Sequence, residues 1–448
     1  MSKRKLLLIN PVSPHRAGLT VNPSSRFPPL SLGIIAALTP DSWEVALIDE
    51  NFDLFKYQEA NLVGLTAFTA AAPRVYEIAR AYREQGIPTV MGGIHASMLP
   101  EEALRYVDAV VIGEAESVWP QLIADFTAGR MQQIYRGKWL DLAGMVQPRR
   151  ELFHPEYAFG TIQTSRGCPM GCEFCSVTVF NGRRYRQRPV GEVLDELETI
   201  PQKRVFFVDD NIIGYGKEAD KRAIALFKGI VERGIKKDWW CQASVNFGDN
   251  EEVLECAAKS GCRMVFLGVE AEDAAALEEM GKKVNLNKGM DGYKEVFQRI
   301  NHHGIAVLGA FIYGMDSDTP EKLRRRTDYV LSSGVDAAQM SYLTPLPGTR
   351  LFNKIRDEGR LLYTDFPADW EHYDLSEVVY RPALMTVQEF AATTRESASR
   401  IYSRWSIRRK FSKTLHATKN LAAAGLAYSS NINYHNLVAA RGDISDAE

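Results

Sequence analysis

The sequence predicts an α/β protein in three parts. These are a doubly wound parallel-sheet domain over residues 1–140, a partial (β/α)6 barrel over 141–365, and a mostly helical C-terminal extension over 366–448. Three observations predict it. Short apolar runs alternate with amphipathic helical stretches up to about residue 130. A second alternation of the same kind starts near residue 160 and ends at Pro345–Leu346–Pro347–Gly348. A chain of 448 residues, at about 150 per domain, has room for about three domains.

In the first part the strands are expected at Lys5–Asn10, Glu44–Ile48, Asn61–Leu65, Pro88–Met91 and Ala109–Ile112. Each run is too short for a helix and is rich in Val, Ile and Leu. Helices are expected near Leu30–Leu38, Pro73–Gln85, Pro100–Tyr106 and Ser117–Ala128. Helical crossovers between strands make the sheet parallel, and ligands then sit beyond its carboxyl ends. Polar or small residues stand there: Asp49–Glu50–Asn51, Thr66–Ala67–Phe68–Thr69, Gly92–Gly93–Ile94–His95 and Gly113–Glu114–Ala115–Glu116. No G-x-G-x-x-G follows the first strand, which argues against a dinucleotide fold. Residues of about 131–155 read as a linker.

Barrel strands are expected at Gly160–Thr164, Arg204–Val208, Trp239–Ala243, Met264–Gly268, Ala306–Ile312 and Ala337–Ser341. Helical patterns follow, including Glu218–Arg233, Glu251–Ser260, Lys288–His303 and Pro320–Ser333. The working face of such a barrel is the carboxyl end of its strands. A further helix is expected near Leu351–Glu358, and the extension after it turns aromatic and polar, then helical.

Hydrophobic residues make up 45% of the chain and charged residues 25%, so a wholly disordered chain is excluded. The formal net charge is −2, which leaves no global positive excess for nucleic acid. No apolar run reaches the ~18 residues of a membrane span. Met1–Ile9 has a faint signal-peptide look, but its apolar run stops at Asn10–Pro11. It is expected to be the first strand of a cytoplasmic protein.

Cys168, Cys172 and Cys175 crowd directly behind the first barrel strand, whereas Cys241, Cys256 and Cys262 are scattered and expected to be small buried residues. Three thiolates on one loop can hold three corners of a 4Fe–4S cluster and leave one iron open to a substrate. A zinc knob is the alternative, but it wants a fourth ligand, and no further Cys or His lies nearby in sequence.

The string Cys168–Pro–Met–Gly–Cys172–Glu–Phe–Cys175 resembles the radical S-adenosylmethionine (SAM) superfamily. Phe207–Val208–Asp209–Asp210–Asn211, Gly268–Val269–Glu270, Gly309–Ala310–Phe311–Ile312–Tyr313–Gly314 and Leu343–Thr344–Pro345–Leu346–Pro347–Gly348–Thr349 agree with it on later strands. Upstream, Arg26–Phe27–Pro28–Pro29–Leu30–Ser31–Leu32–Gly33, Gly92–Gly93–Ile94–His95, Pro100–Glu101–Glu102 and Gly113–Glu114–Ala115–Glu116 look like the cobalamin-binding domain that precedes the barrel in one large subgroup.

The resemblance implies a 4Fe–4S cluster on Cys168, Cys172 and Cys175, with SAM contacts from Asp209, Asp210 and Glu270. It implies cobalamin contacts from Thr66, Thr69, Gly92, Gly93, His95, Gly113 and Glu114. The implied activity is C-methylation: methyl passes from methylcobalamin to an unactivated carbon of a small-molecule or lipid-like substrate, through a 5′-deoxyadenosyl radical. An external donor of flavodoxin or ferredoxin type would supply electrons. The rival readings are a cyclase or oxidase without methyl transfer, a radical SAM enzyme that has lost cobalamin, and a non-catalytic cobalamin-binding regulator. Tyr313, Tyr342 and Trp370 are candidates for orienting substrate.

Two features stand apart. Ser13–Pro14–His15–Arg16–Ala17–Gly18 keeps the His-x-x-Gly of a cobalt-binding string without its aspartate, so His15 is expected to be a surface histidine rather than a cobalt ligand. Arg400, Arg404, Arg408, Arg409, Lys410 and Lys413 alternate with Tyr402, Trp405, Ile407, Phe411 and Leu415. Such a helix either packs its apolar side on the barrel or makes peripheral contact with an anionic membrane.

Overall fold

The computed structural model describes residues 3–13 and 26–441, so His15 lies outside the described residues. The first sheet has six strands in the order β2-β1-β3-β4-β5-β6. They are β1 (Arg4–Asn10), β2 (Trp43–Asp49), β3 (Leu62–Thr66), β4 (Thr89–Gly92), β5 (Ala109–Ile112) and β6 (Ile134–Arg136). Every pairing is parallel. β1 is an interior strand, paired on both sides, and Leu6, Leu7, Leu8 and Ile9 are all buried because helices cover both faces. Leu6 and Leu8 join one core and Leu7 and Ile9 the other. The order of connection reverses between β1 and β3, which marks the crevice where such sheets bind ligands. β6 lies in the stretch expected to be a linker; three residues are too few to show a period of two.

The second sheet is also six-stranded and parallel, in the order β14-β13-β12-β11-β10-β7. Its strands are β7 (Gly160–Ile162), β10 (Arg204–Phe207), β11 (Asp238–Ala243), β12 (Cys262–Glu270), β13 (Ala306–Tyr313) and β14 (Ala337–Tyr342). Neighbours in sequence are neighbours in space, with helices on the outer face, as in a barrel wall. β7 and β14 do not pair with each other. Between β7 and β10 sits a two-stranded antiparallel ribbon, β8 (Ser165–Arg166) with β9 (Arg186–Gln187).

Side-chain alternation separates the two faces of this sheet. Phe207, Trp239, Val265, Val307 and Ala338 enter the core under the outer helices. Met264, Ala306, Leu308 and Ala337 point the other way and meet Ala423 and Ala427 of the helix Leu421–Ala440. That helix therefore lies on the inner face, near the amino ends of β12–β14. Helices Val387–Ile401 and Arg404–Thr418 precede it, so the extension is mostly helical. Cys241, Cys256 and Cys262 are buried. Among the described residues, no helix is long and apolar enough to cross a membrane.

Candidate active site

The ribbon frames the cysteine loop. Ser165 faces Gln187 and Arg166 faces Arg186, which closes residues 167–185 into a loop beyond the carboxyl end of β7. Gly167 enters it at φ 88°, where a Cβ would strike the Arg184 carbonyl. Cys172 is buried, and Cys168 and Cys175 are half-buried. Burial raises all three thiols, Cys175 to about 11. The bare loop thus favours neutral thiols, and a positively charged metal centre would shift them to thiolates. A cavity of about 170 Å³ beside them is lined by Cys172, Cys175, Thr178, Arg183 and Arg350, among others. Among the described residues, no three His, Cys, Asp or Glu side chains converge as on a single metal ion. A cuboidal cluster takes each thiolate at a separate iron.

The end of β12 reaches the same loop. Pairing with β13 slips between Gly268 and Glu270, and Glu270 adopts φ 65°, an uncommon backbone for a residue with a Cβ. Its carboxylate is buried and lies 2.6 Å from the Lys282 ammonium. Burial opposes the Lys282 charge, but Glu270, Cys172 and Cys175 outweigh it and hold the proton above the ordinary lysine range. Asn285 donates to the Gly268 and Val269 carbonyls and fixes the bulge. Glu173 N–H donates to Met280 O at 3.1 Å, tying the cysteine loop to the turn that carries Lys282.

At the end of β10 the two aspartates part company. Asp209 is fully buried; its Oδ1 accepts from Thr164 N–H at 2.9 Å and Ser165 Oγ at 2.6 Å. Its Oδ2 has no partner, and burial raises its carboxyl. Asp210 turns to the cysteine loop, where it accepts from Asn181 at 3.0 Å; burial pushes it up to about 6.

The carboxyl ends of the first sheet face this region. Gly93 has φ 89°, and a Cβ there would stand 2.6 Å from Thr66 Oγ1. Gly113 has φ 78°. Thr66 is half-buried and Thr69 buried. His95 is fully buried: its Nε2 meets Glu102 at 3.1 Å and Tyr76 at 3.2 Å, while its Nδ1 has no partner. The helix Ile94–Met98 packs against Ser176–Phe180, which begins at the third cysteine.

Glu114, at the end of β5, is held by protein groups. It accepts from Arg186 at 2.5 Å and from Leu140 N–H at 2.9 Å, and it lies 3.4 Å from Arg166. Glu116 takes the other side of Arg166 at 2.5 Å. These buried ion pairs join the end of β5 to the ribbon that holds the cysteines. None of the three substrate-orienting candidates presents its polar atom to the inner face. Tyr313 bonds Thr327 under the outer helices, Tyr342 bonds Thr394, and Trp370 donates its indole N–H to Glu102.

Inside the sheet, register sets out layers of inward side chains. Phe206, Trp240, Met264 and Ala306 form one, then Gln242, Phe266, Leu308 and Ala337, then Gly268, Ala310 and Gln339. Phe206 and Trp240 stack at 5.6 Å, and Phe27 reaches in from the first domain to meet Phe206 and Phe159. The inner wall is apolar and aromatic, with Gln242, Gln339 and Ser341 as its polar points. Lys282, Arg166, Arg186 and this inner row were not anticipated as site residues. The alternation of Phe206 with Phe207 and of Trp239 with Trp240 was the available signal for the row.

A doubly wound sheet feeding a barrel-like sheet, with three thiols on the first barrel loop, defines a radical enzyme class. Residues 17–123 match the B12 binding domain and residues 162–330 match the Radical SAM superfamily. The chain belongs to the radical SAM enzymes that carry a cobalamin-binding domain, and the cofactors of its two domains are cobalamin, a 4Fe–4S cluster and SAM. It is 29% identical over 403 residues to bacteriochlorophyllide d C-12(1)-methyltransferase of Chlorobaculum tepidum, covering 85% of this chain and 83% of that one. It is 30% identical over 353 residues to hopanoid C-2 methylase of Rhodopseudomonas palustris, covering 75% and 66%. It is 26% identical over 366 residues to anaerobic magnesium-protoporphyrin IX monomethyl ester cyclase of Rubrivivax gelatinosus, covering 72% and 62%. The fold matches the radical SAM methyltransferase TsrM of Kitasatospora setae, solved with cobalamin and a [4Fe-4S] cluster, with TM-score 0.67 and 19% identity over 90% of this chain and 89% of that one.

Proposed function

We propose that the chain is a cobalamin-dependent radical SAM C-methyltransferase acting on an apolar, ring-bearing small molecule. One observation carries this reading. The cysteine loop and the carboxyl ends of the first sheet are clasped together by Glu114, Glu116, Arg166 and Arg186, at the mouth of an aromatic inner wall. Methyl donor and radical source must reach one carbon, and the clasp would hold their two sites side by side.

The residues fit the groups. Cys168, Cys172 and Cys175 would hold three irons and leave the fourth open. Glu270 and Lys282, a buried acid–base pair beside those thiols, match the amino and carboxylate ends of a methionyl group. Asp210 lies against the same loop. Asp209 supports the strand end through Thr164 and Ser165. Gly92, Gly93 and Gly113 leave bare backbone at the strand ends, with Thr66, Thr69 and His95 alongside; the buried Nδ1 of His95 has no hydrogen-bond partner in the chain. When bound, the cluster supplies the electron that cleaves SAM, and cobalamin carries the methyl group. The chain's own part is to fix the reactants, keep water from the radical's path and orient the substrate between Gln242, Gln339 and the apolar layers. Electrons would come from a flavodoxin- or ferredoxin-type donor. The names of the methylating relatives, whose substrates are large ring systems, support the substrate class.

Anaerobic reconstitution with iron, sulfide and hydroxocobalamin, followed by mass analysis after adding SAM and reductant, tests the assignment. 5′-Deoxyadenosine together with S-adenosylhomocysteine is expected. 5′-Deoxyadenosine alone would point to the cyclase-type chemistry, and neither product to a regulator.

A further inference from the structure

The C-terminal helical hairpin carries a surface that the proposed chemistry does not use. From residue 397 to residue 441 there is no acidic side chain. In helix Arg404–Thr418 the buried side is Ser406, Ile407, Lys410, Thr414 and Thr418, which packs on the barrel. Lys410 donates inward to the Val330 and Val335 carbonyls, and Thr414 donates to Asp336. The opposite half exposes Arg404, Arg408, Arg409, Lys413 and Lys419. None has an acidic partner among the described residues, whereas Arg400 and Arg441, at either end, are paired with Asp328 and Asp374.

Large apolar side chains stand among these cations. Trp405 is 67% exposed with Arg409 over its ring at 5.3 Å, and Leu421 is 68% exposed. Helix Leu421–Ala440 has no charged residue at all. Its exposed Tyr428 meets Phe411 of the preceding helix edge-on at 5.5 Å, so the two surfaces adjoin. Water-exposed Trp and Leu amid cations that have no acidic partner among the described residues cost solvation free energy in a free-standing surface. They match a partner that is anionic and apolar at once.

We propose that this face docks on the surface of an anionic lipid bilayer, with Trp405 and Leu421 entering the headgroup region and the arginines and lysines meeting lipid phosphates. An acidic electron-donor protein is the other chemistry such charge could attract, but its place argues against that. The turn of the hairpin is bonded through Asn420 to Gly304, ahead of β13 at the amino ends of the barrel strands. The cysteine loop leaves the carboxyl end of β7, at the far end of the sheet, and a donor must approach there.

Full-length, reconstituted protein floated with phosphatidylcholine vesicles, with and without phosphatidylglycerol, tests the inference. Binding is expected only with phosphatidylglycerol. In R404Q/R408Q/R409Q/K413Q the vesicle partition coefficient is expected to fall by about two to three orders of magnitude, at about fivefold per basic residue. The charge-preserving W405A/L421A variant is expected to lower partition as well and to leave residual binding that vanishes at physiological salt. Unchanged circular dichroism and cofactor content establish that both variants fold. No binding to anionic vesicles overturns the inference. So does binding that W405A/L421A leaves unchanged and polyglutamate competes away, since the surface would then be a site for an acidic protein.

Discussion

The Glu114 clasp makes a sharp prediction. Glu114, Arg166 and Arg186 are all nearly buried, and the single carboxylate of Glu114 serves Arg186, Arg166 and the Leu140 N–H. In Glu114→Ala, Arg186 loses its carboxylate while staying buried, and Arg166 keeps Glu116 as its one carboxylate partner beside the Gln163 amide oxygen. Breaking a buried pair from one side costs about 3–5 kcal/mol, because the remaining charge is left uncompensated. If that cost falls on local opening of the ribbon, the open population rises roughly 10²- to 5 × 10³-fold. Hydrogen–deuterium exchange at the ribbon amides of Ser165, Arg166, Arg186 and Gln187 reads this directly. Glu114→Met combined with Arg186→Met is expected to recover part of the protection, since it removes the stranded charge as well. If Glu114→Ala instead loses cobalamin while ribbon exchange stays at the wild-type level, the carboxylate serves the corrin and the clasp account is wrong.

Other consequences follow from single side chains. Burial holds Lys410 down at about 8, against 10.5 for an ordinary lysine. The unfolded chain keeps that proton to higher pH, so this group makes stability rise with pH between those values, by about 3 kcal/mol in all. The difference in denaturation free energy between wild type and Lys410→Met should show that slope; a difference that stays flat or falls with pH contradicts it. Gly93→Ala places a Cβ 2.6 Å from Thr66 Oγ1 at positive φ, at a cost of about 1–3 kcal/mol. Corrin absorbance retained after desalting should drop, and full retention would remove Gly93 from the cobalamin face. Lys282→Met should raise the Kd for SAM about 30-fold or more by equilibrium dialysis, with the cluster spectrum intact. An unchanged Kd would confine Lys282 to a structural pairing with Glu270.

Much of this architecture is legible in the chain. The barrel strands expected at Arg204–Val208, Trp239–Ala243 and Ala306–Ile312 appear as Arg204–Phe207, Asp238–Ala243 and Ala306–Tyr313. Runs of Val, Ile, Phe and Trp buried on both faces carry their own signal. The ribbon β8–β9 was not legible: it pairs two residues with two others across the whole cysteine loop, and no local period marks it. Lys282 was missed for a similar reason. It lies far from the cysteines in sequence, and only the turn bonded to Glu173 brings it to them. The partners of Glu114 were not legible either, because Arg166 and Arg186 lie beyond the first sheet in sequence. The basic helix had two readings, and the buried Ile407, Lys410 and Thr414 show that one side does pack on the barrel.

The central claim is that three thiols on one loop carry a 4Fe–4S cluster with one iron free for SAM. Anaerobically reconstituted wild type should contain iron and acid-labile sulfide equivalent to one such cluster per chain. Its reduced paramagnetic resonance signal should change when SAM is added. Cys168→Ala, Cys172→Ala and Cys175→Ala should each lose that signal while keeping native circular dichroism. Zinc in place of iron, or a wild-type signal indifferent to SAM, would contradict the account.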